Sequence, residues 1–228
     1  MGRGIFSELS VYNRNEFALS TSGRRSGGFL WLGEDSLRVA KHDQALIMLN
    51  KSLEHNPEDY KPYVALAFLA AEKGNLTQAI TRLHRALLYT ANPLHKSYVL
   101  LLLSRIHELN TNLEDAHEFI REALTTDPHF IEARYRHAVI LAKKGATIEA
   151  LSILKDLIAR EPDFYLKVLL DPALQPVRSK IGLLTKELFE QAKIHASNFS
   201  SLFGIVFGAA ASIHWLYKNF DHLYSKMR

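Results

Sequence analysis

Lys73-Gly74-Asn75-Leu76-Thr77-Gln78-Ala79-Ile80-Thr81-Arg82-Leu83 is the stretch on which the reading of this chain turns. Gly74 takes positive φ at little cost and so closes one helix. Asn75, with Gln78 three residues later, forms a capping-box pattern that opens the next. Leu83 follows Ala79 by four residues and Leu87 follows it by eight, which draws one apolar stripe along a helix of period 3.6. The stretch therefore reads as the tip of a helical hairpin.

The same arrangement recurs on both sides. Ala45, Ala79, Ala116 and Ala150 stand 34, 37 and 34 residues apart. Large aliphatic residues follow each at four (Leu49, Leu83, Ile120, Leu154) and at eight (Leu53, Leu87, Leu124, Ile158). Twelve residues ahead of each alanine the side chain is again small: Gly33, Ala67, Ser104, Ala138. Small residues on two helices let their backbones approach closely, so a first helix precedes each alanine-bearing second helix. One residue before each small position stand Leu32, Leu66 and Leu103, with His137 the exception. Pro57, Pro128 and Pro162 lie 12 residues after their alanines, and each ends a second helix. Pro93 lies 14 after Ala79, which predicts a two-residue insertion at Thr90-Ala91-Asn92. Leu109-Asn110-Thr111-Asn112 and Lys144-Gly145-Ala146 mark further hairpin turns, with Thr147 the expected N-cap of a helix.

A period near 34 residues with two helices per unit resembles the tetratricopeptide (TPR) repeat family over about Phe29 to Asp163. The resemblance implies an all-α fold, a right-handed α-solenoid of TPR helical hairpins. The expected organisation is an N-terminal extension over 1–28, four TPR units over 29–163, a capping helix region over 164–193 and an apolar C-terminal helix over 194–228. In the extension, Tyr12 to Ser20 is an expected short helix and Ser22 to Gly28 an expected flexible loop. In the cap, a first helix is truncated at Asp171-Pro172, and a longer one is expected from Pro176 or Val177 through Lys193.

Ile194 to Tyr217 is 24 residues without a charge. Length and charge allow a membrane span, and Trp215 and Tyr217 suit an interface belt. Ser200, Gly204, Gly208 and Ser212 recur every four residues, a small-xxx-small face that suits homodimer pairing. His195, Asn198, His214 and four serines (Ser197, Ser200, Ser201, Ser212) dilute the hydrophobicity, and the apolar spacing continues through Phe220, Leu223 and Met227. A helix packed on the solenoid, or on a second copy, fits these features better than a span.

Composition narrows the function classes. No cysteine is present, which excludes disulfides, thiolate nucleophiles and cysteine-ligated zinc. Of the net charge of +4, the basic excess lies in the flanks, and residues 29–163 are nearly balanced, with 16 basic and 18 acidic side chains. A nucleic-acid binder more often carries a basic stripe on its folded body, so nucleic acid and an RNA-binding role are disfavoured. His107-Glu108 and His117-Glu118 begin like a zinc-protease motif, but the second histidine is missing from both. No two of the 11 histidines stand three or four apart. With no phosphate loop, nucleophile elbow or ligand cluster, the expectation is a non-enzyme without cofactor or metal.

In the TPR family the first helices line a concave groove that takes a peptide or helix. Carried over, this resemblance places Lys61, Val64 and Phe68, then Tyr98, Leu101 and Arg105, then Glu132, Tyr135 and Val139 on that face, with Glu72, Glu108 and Lys143 beside them. The lysines and asparagines with which some members clamp a partner's terminal carboxylate are replaced here by Leu30, Glu34, Val64, Phe68 and Leu101. The implied function is a protein-interaction scaffold whose partner offers a peptide or amphipathic helix. The alternative is a membrane-anchored assembly factor. The expected location is the cytoplasm, with membrane association through 194–217 in the alternative reading.

Overall fold

A computed structural model describes residues 25–161, 164–183, 186 and 190. Tyr12 to Ser20 and the segment 194–217, with its small-residue face, lie outside the described residues. The chain falls into two compact units, up to Lys144 and from Gly145 onward. Every regular element among the described residues is helical.

The first unit contains α1 (Arg25–Arg38), α2 (His42–His55), α3 (Tyr60–Glu72), α4 (Leu76–Leu88), α5 (Pro93–Leu109), α6 (Leu113–Thr126) and α7 (Ile131–Lys143). Helix α1 packs on α2, α3 on α4 and α5 on α6, and each second helix also packs against the first helix that follows it. The repeat positions explain why. Ala45, Ala79 and Ala116 are each 0% exposed, so the helices meet where the side chain is smallest. Leu49, Leu83 and Ile120, one turn on, are equally buried. A Cβ added at Gly33 would lie 2.7 Å from Leu49 Cγ, so only glycine allows that approach. At the matching place in α5, the Ser104 hydroxyl donates to the Ala116 carbonyl at 2.6 Å, tying first helix to second.

The hairpin turns share one device. Ala40 (φ 58°), Gly74 (φ 78°) and Thr111 (φ 60°) each stand five residues ahead of their alanine in the left-handed region. The next N–H reaches back across the turn: Lys41 to the Ser36 carbonyl at 2.8 Å, Asn75 to Ala70 at 2.9 Å and Asn112 to His107 at 2.9 Å. This is the Schellman closure of a helix end. Asn75 Oδ1 then accepts from the Gln78 N–H at 3.0 Å, the expected cap, and Asn112 does the same for Asp115 at 3.2 Å.

Two local expectations are corrected in this unit. Arg25 to Gly28 belong to α1 and not to a loop; the helix they begin packs Leu30 and Leu37 with Ala45 and Leu49. The extra residues before Pro93 do not form a bulge. The linkers 56–59, 89–92 and 127–130 are equal in length, and α5 is instead 17 residues long against 13 for α3 and α7. The addition is about one helical turn, which keeps the apolar face in register. Asn92 caps the Leu94 N–H at 2.8 Å and Pro93 takes the first helical position, where its missing N–H costs nothing.

The second unit contains α8 (Thr147–Arg160), α9 (Phe164–Leu170) and a 3₁₀ helix, η1 (Pro172–Val177), after which 178–183 are helical. Gly145 precedes it with φ 82°, five residues before Ala150, which is 0% exposed. Thr147 is the first helical residue and not the N-cap; Ala146 holds that position and offers no side-chain acceptor. The step at Asp171-Pro172 is real, but Pro176 lies within η1 rather than opening a long helix. Asp171 Oδ1 accepts from the Ala173 N–H at 2.8 Å, and Leu174, Val177 and Ile181 are fully buried.

Candidate functional site

The first helices α1, α3, α5 and α7 all belong to the first unit and supply the candidate groove. They differ from the second helices in composition. α4 buries Ala79, Leu83 and Ala86 and leaves a polar face outward, whereas α3 buries Tyr60 and every residue from Pro62 to Ala71. α5 is buried from Ser97 to Ser104 and again from Ile106 to Glu108. A helix that is apolar on all sides is a helix covered on all sides.

This burial decides what the nine expected groove residues present. Val64, Phe68, Tyr98, Leu101, Tyr135 and Val139 are between 0% and 7% exposed and act as core. Lys61, Arg105 and Glu132 are half-buried and carry the accessible chemistry. Of the neighbouring residues Leu30, Glu34 and Glu72, Leu30 is buried and the two acids are half-buried.

Three electrostatic features mark this row. Glu108 on α5 sits between two cations, with Arg105 Nη1 at 2.5 Å and Lys143 Nζ of α7 also at 2.5 Å. Burial pushes the Glu108 carboxyl up, but Arg105 and Lys143 outweigh it and hold the group below its ordinary value. The triad joins two first helices, with Lys143 standing 35 residues from Glu108 in sequence. Glu132 accepts from Arg136 Nε at 3.2 Å on α7. At the other end, burial drives the Glu34 carboxyl up to about 7, with Lys61 pulling the other way and Asp59 adding to the rise.

A histidine pair escaped the sequence reading because its members are 20 residues apart. His117 Nε2 of α6 and His137 Nε2 of α7 are 3.1 Å apart, with the rings stacked at 5.2 Å. Lys144 Nζ lies 3.5 Å from His117 Nδ1 and 2.7 Å from Glu114. An ammonium only donates, so His117 Nδ1 accepts and its Nε2–H is left to donate to His137. Burial, His117 and Arg121 together lower His137 to about 4. The one available signal was the register, since His137 stands where the other units carry leucine. Among the described residues no three histidine or carboxylate side chains converge on a metal position, and no helix is long and apolar enough to cross a membrane.

The comparisons agree with this architecture. The tetratricopeptide repeat family matches residues 37–106. The photosystem I assembly protein Ycf3 of Acaryochloris marina (strain MBIC 11017) is 28% identical over 96 residues, 42% of this chain. The match spans 58% of that relative's length. Among solved structures, the MamA protein superposes with a TM-score of 0.56 at 16% identity, covering 75% of this chain and 94% of its own. A thermophilic TPR protein of Thermus thermophilus, TTC0263, gives 0.54 at 19% identity, covering 80% and 97%. YrrB, a TPR protein with an unusual peptide-binding site, gives 0.52 at 17% identity, covering 75% and 90%. Hairpin geometry, repeat register and the family match over 37–106 together show tetratricopeptide-type repeats in this chain.

Proposed function

We propose that the chain is a non-catalytic scaffold that holds a partner protein along the row of first helices. The observation that carries this reading is that the first helices α1, α3, α5 and α7 all lie in one unit and carry Lys61, Arg105, Glu108, Glu132 and Lys143, with the acids Glu34 and Glu72, among buried apolar residues. Such a row offers charged hydrogen-bonding groups over packed aromatic and aliphatic residues, the composition by which grooves take a peptide or an amphipathic helix. The test is affinity purification of the full chain followed by mass spectrometry, with Lys61→Glu/Glu132→Lys as the variant. Partners recovered by the wild type and lost by a variant of unchanged helicity support the groove. The same partners on both place binding elsewhere.

A second reading, assembly work at a membrane, is favoured by the likeness to Ycf3 and by the uncharged segment 194–217. In that reading the repeats face the cytoplasm, and 194–217 either enters the bilayer or pairs with a second copy through Ser200, Gly204, Gly208 and Ser212. Recovery of the full chain as a detergent-free soluble monomer overturns both versions of the tail.

A further inference from the structure

The outward face of α4 differs from those of the other second helices. α2 carries Asp43 and Glu54, α6 carries Glu114, Asp115, Glu118 and Glu122, and α8 carries Glu149 and Asp156, whereas α4 has no acidic residue along its length. It has Arg82 and Arg85 instead, and both line one shallow depression with Tyr63, Thr77, Gln78 and Thr81. Residues 78, 82 and 85 fall on one side of the helix, as do 77, 81 and 85, so the donors form a single strip. Tyr63, whose hydroxyl donates to the Pro57 carbonyl at 3.0 Å, forms the floor.

Among the described residues the two arginines are left without counter-charge. Arg38, Arg105, Arg136 and Arg160 each hold a carboxylate, from Asp35, Glu108, Glu132 and Asp156. Among the described residues Arg82 and Arg85 hold none. Arg85 faces the carbonyl end of α4 and gains from its dipole. Arg82, in the middle of the helix, has no such compensation and stands three residues from a like charge, which costs helix stability. Guanidinium groups take carboxylates through two parallel N–H···O bonds, and the Thr77 hydroxyl and Gln78 amide add neutral donors at the same strip.

We propose that this face of α4 binds an acidic segment of a partner protein, whose carboxylates are taken by Arg82 and Arg85. Side chains three apart on a helix stand about 5–6 Å from each other. Alternate residues of an extended chain are about 6.7 Å apart on one side. The matching ligand is therefore an extended strand with acids at alternate positions, Glu-x-Glu. The site lies on the second helix α4, with only Tyr63 contributed by the first helix α3, and does not depend on partner binding along the first helices.

The test is fluorescence anisotropy of a fluorescein-labelled decaglutamate titrated with the full chain in a non-ionic detergent. The wild type should bind in a salt-dependent manner, and Arg82→Glu/Arg85→Glu should weaken binding at least tenfold. Lys41→Glu/Lys180→Glu, with the same change in net charge, should change it less than twofold. Arg82→Lys/Arg85→Lys should fall between, because it keeps charge but loses the paired bonds. If the charge reversal fails to fold, Arg82→Gln/Arg85→Gln replaces it, with the same tenfold expectation. Absence of wild-type binding, or equal losses in the arginine and lysine variants, overturns the proposal.

Discussion

Thr111 holds, at φ 60°, the left-handed turn position in its hairpin that Gly74 holds at φ 78° in the preceding one. The backbone is the same, but the fit is not. A β-branched side chain in this region crowds its own carbonyl, whereas glycine meets no such clash there. Thr111→Gly should raise stability by about 1 kcal/mol, and Ala40→Gly by somewhat less. Gly74→Ala should lower it by about 1 kcal/mol. Urea midpoints of the variants check the order; a destabilised Thr111→Gly would mean that the Thr111 hydroxyl, which donates to the Asn110 carbonyl at 2.7 Å, outweighs the backbone.

Gly33 is small because Leu49 leaves no room for more. Gly33→Ala brings a Cβ to 2.7 Å of Leu49 Cγ and should cost about 1–3 kcal/mol by overpacking. Leu49→Ala alone should cost about 2–5 kcal/mol. Combined, the two should cost less than the sum of their separate effects, since the shortened side chain removes the clash. Additive losses in a double-mutant cycle would place the strain somewhere else.

Glu108 ties α5 to α7 through Lys143, so Glu108→Gln should destabilise by about 1–3 kcal/mol, tempered because the Lys143 side chain is 34% exposed. The folded carboxyl lies below its ordinary value, so its contribution is complete above about pH 4.5 and is lost as pH falls through the lower folded value. Chemical denaturation at pH 7 and pH 3.5 should therefore separate wild type from variant more at the higher pH.

His137 works in the opposite sense. Its folded value is lowered from 6.5 to about 4, so the unfolded chain takes up a proton first as the solution is acidified. Stability should fall between pH 6.5 and about pH 4, with His117 and Arg121 as the facing groups. His137→Leu restores the leucine of the other units and should flatten the change in melting temperature between pH 7.5 and pH 5. An unchanged slope would assign acid sensitivity to another group.

Glu34 gives a third pH signature. Burial raises it to about 7, so stability should decline as pH rises from 4.5 to about 7 and level off above that. Glu34→Gln should remove this decline, as read by melting temperature at pH 5 and pH 8.

The repeat was legible from one chain because it rests on local rules. Ala45, Ala79, Ala116 and Ala150 report close helix approach, the leucines that follow report a 3.6-residue period, and Gly74 and Gly145 report left-handed turns. These are properties of neighbouring residues and survive without knowledge of the whole. Ala40 was missed as a turn because alanine carries no preference for positive φ, and only the Schellman bonds around it impose that conformation. The extra residues before Pro93 were misplaced because proline ends one helix and begins another with equal ease, and the packing of α5 chose the second.

The candidate sites were less legible. Val64, Phe68, Tyr98, Leu101, Tyr135 and Val139 lie on first helices as the resemblance implied, but a period cannot say whether an apolar position faces a neighbour or an open groove. Glu108 with Lys143, and His117 with His137, became pairs only when α7 was laid beside α5 and α6. By itself the sequence determined the helices, their turns and the small-residue contacts between them, because each depends on residues a few positions apart. Tertiary structure alone decided which charges are paired, which groove residues are core and that Arg82 and Arg85 hold no carboxylate among the described residues. Electrostatic partnership and burial depend on distances between segments that no local spacing encodes.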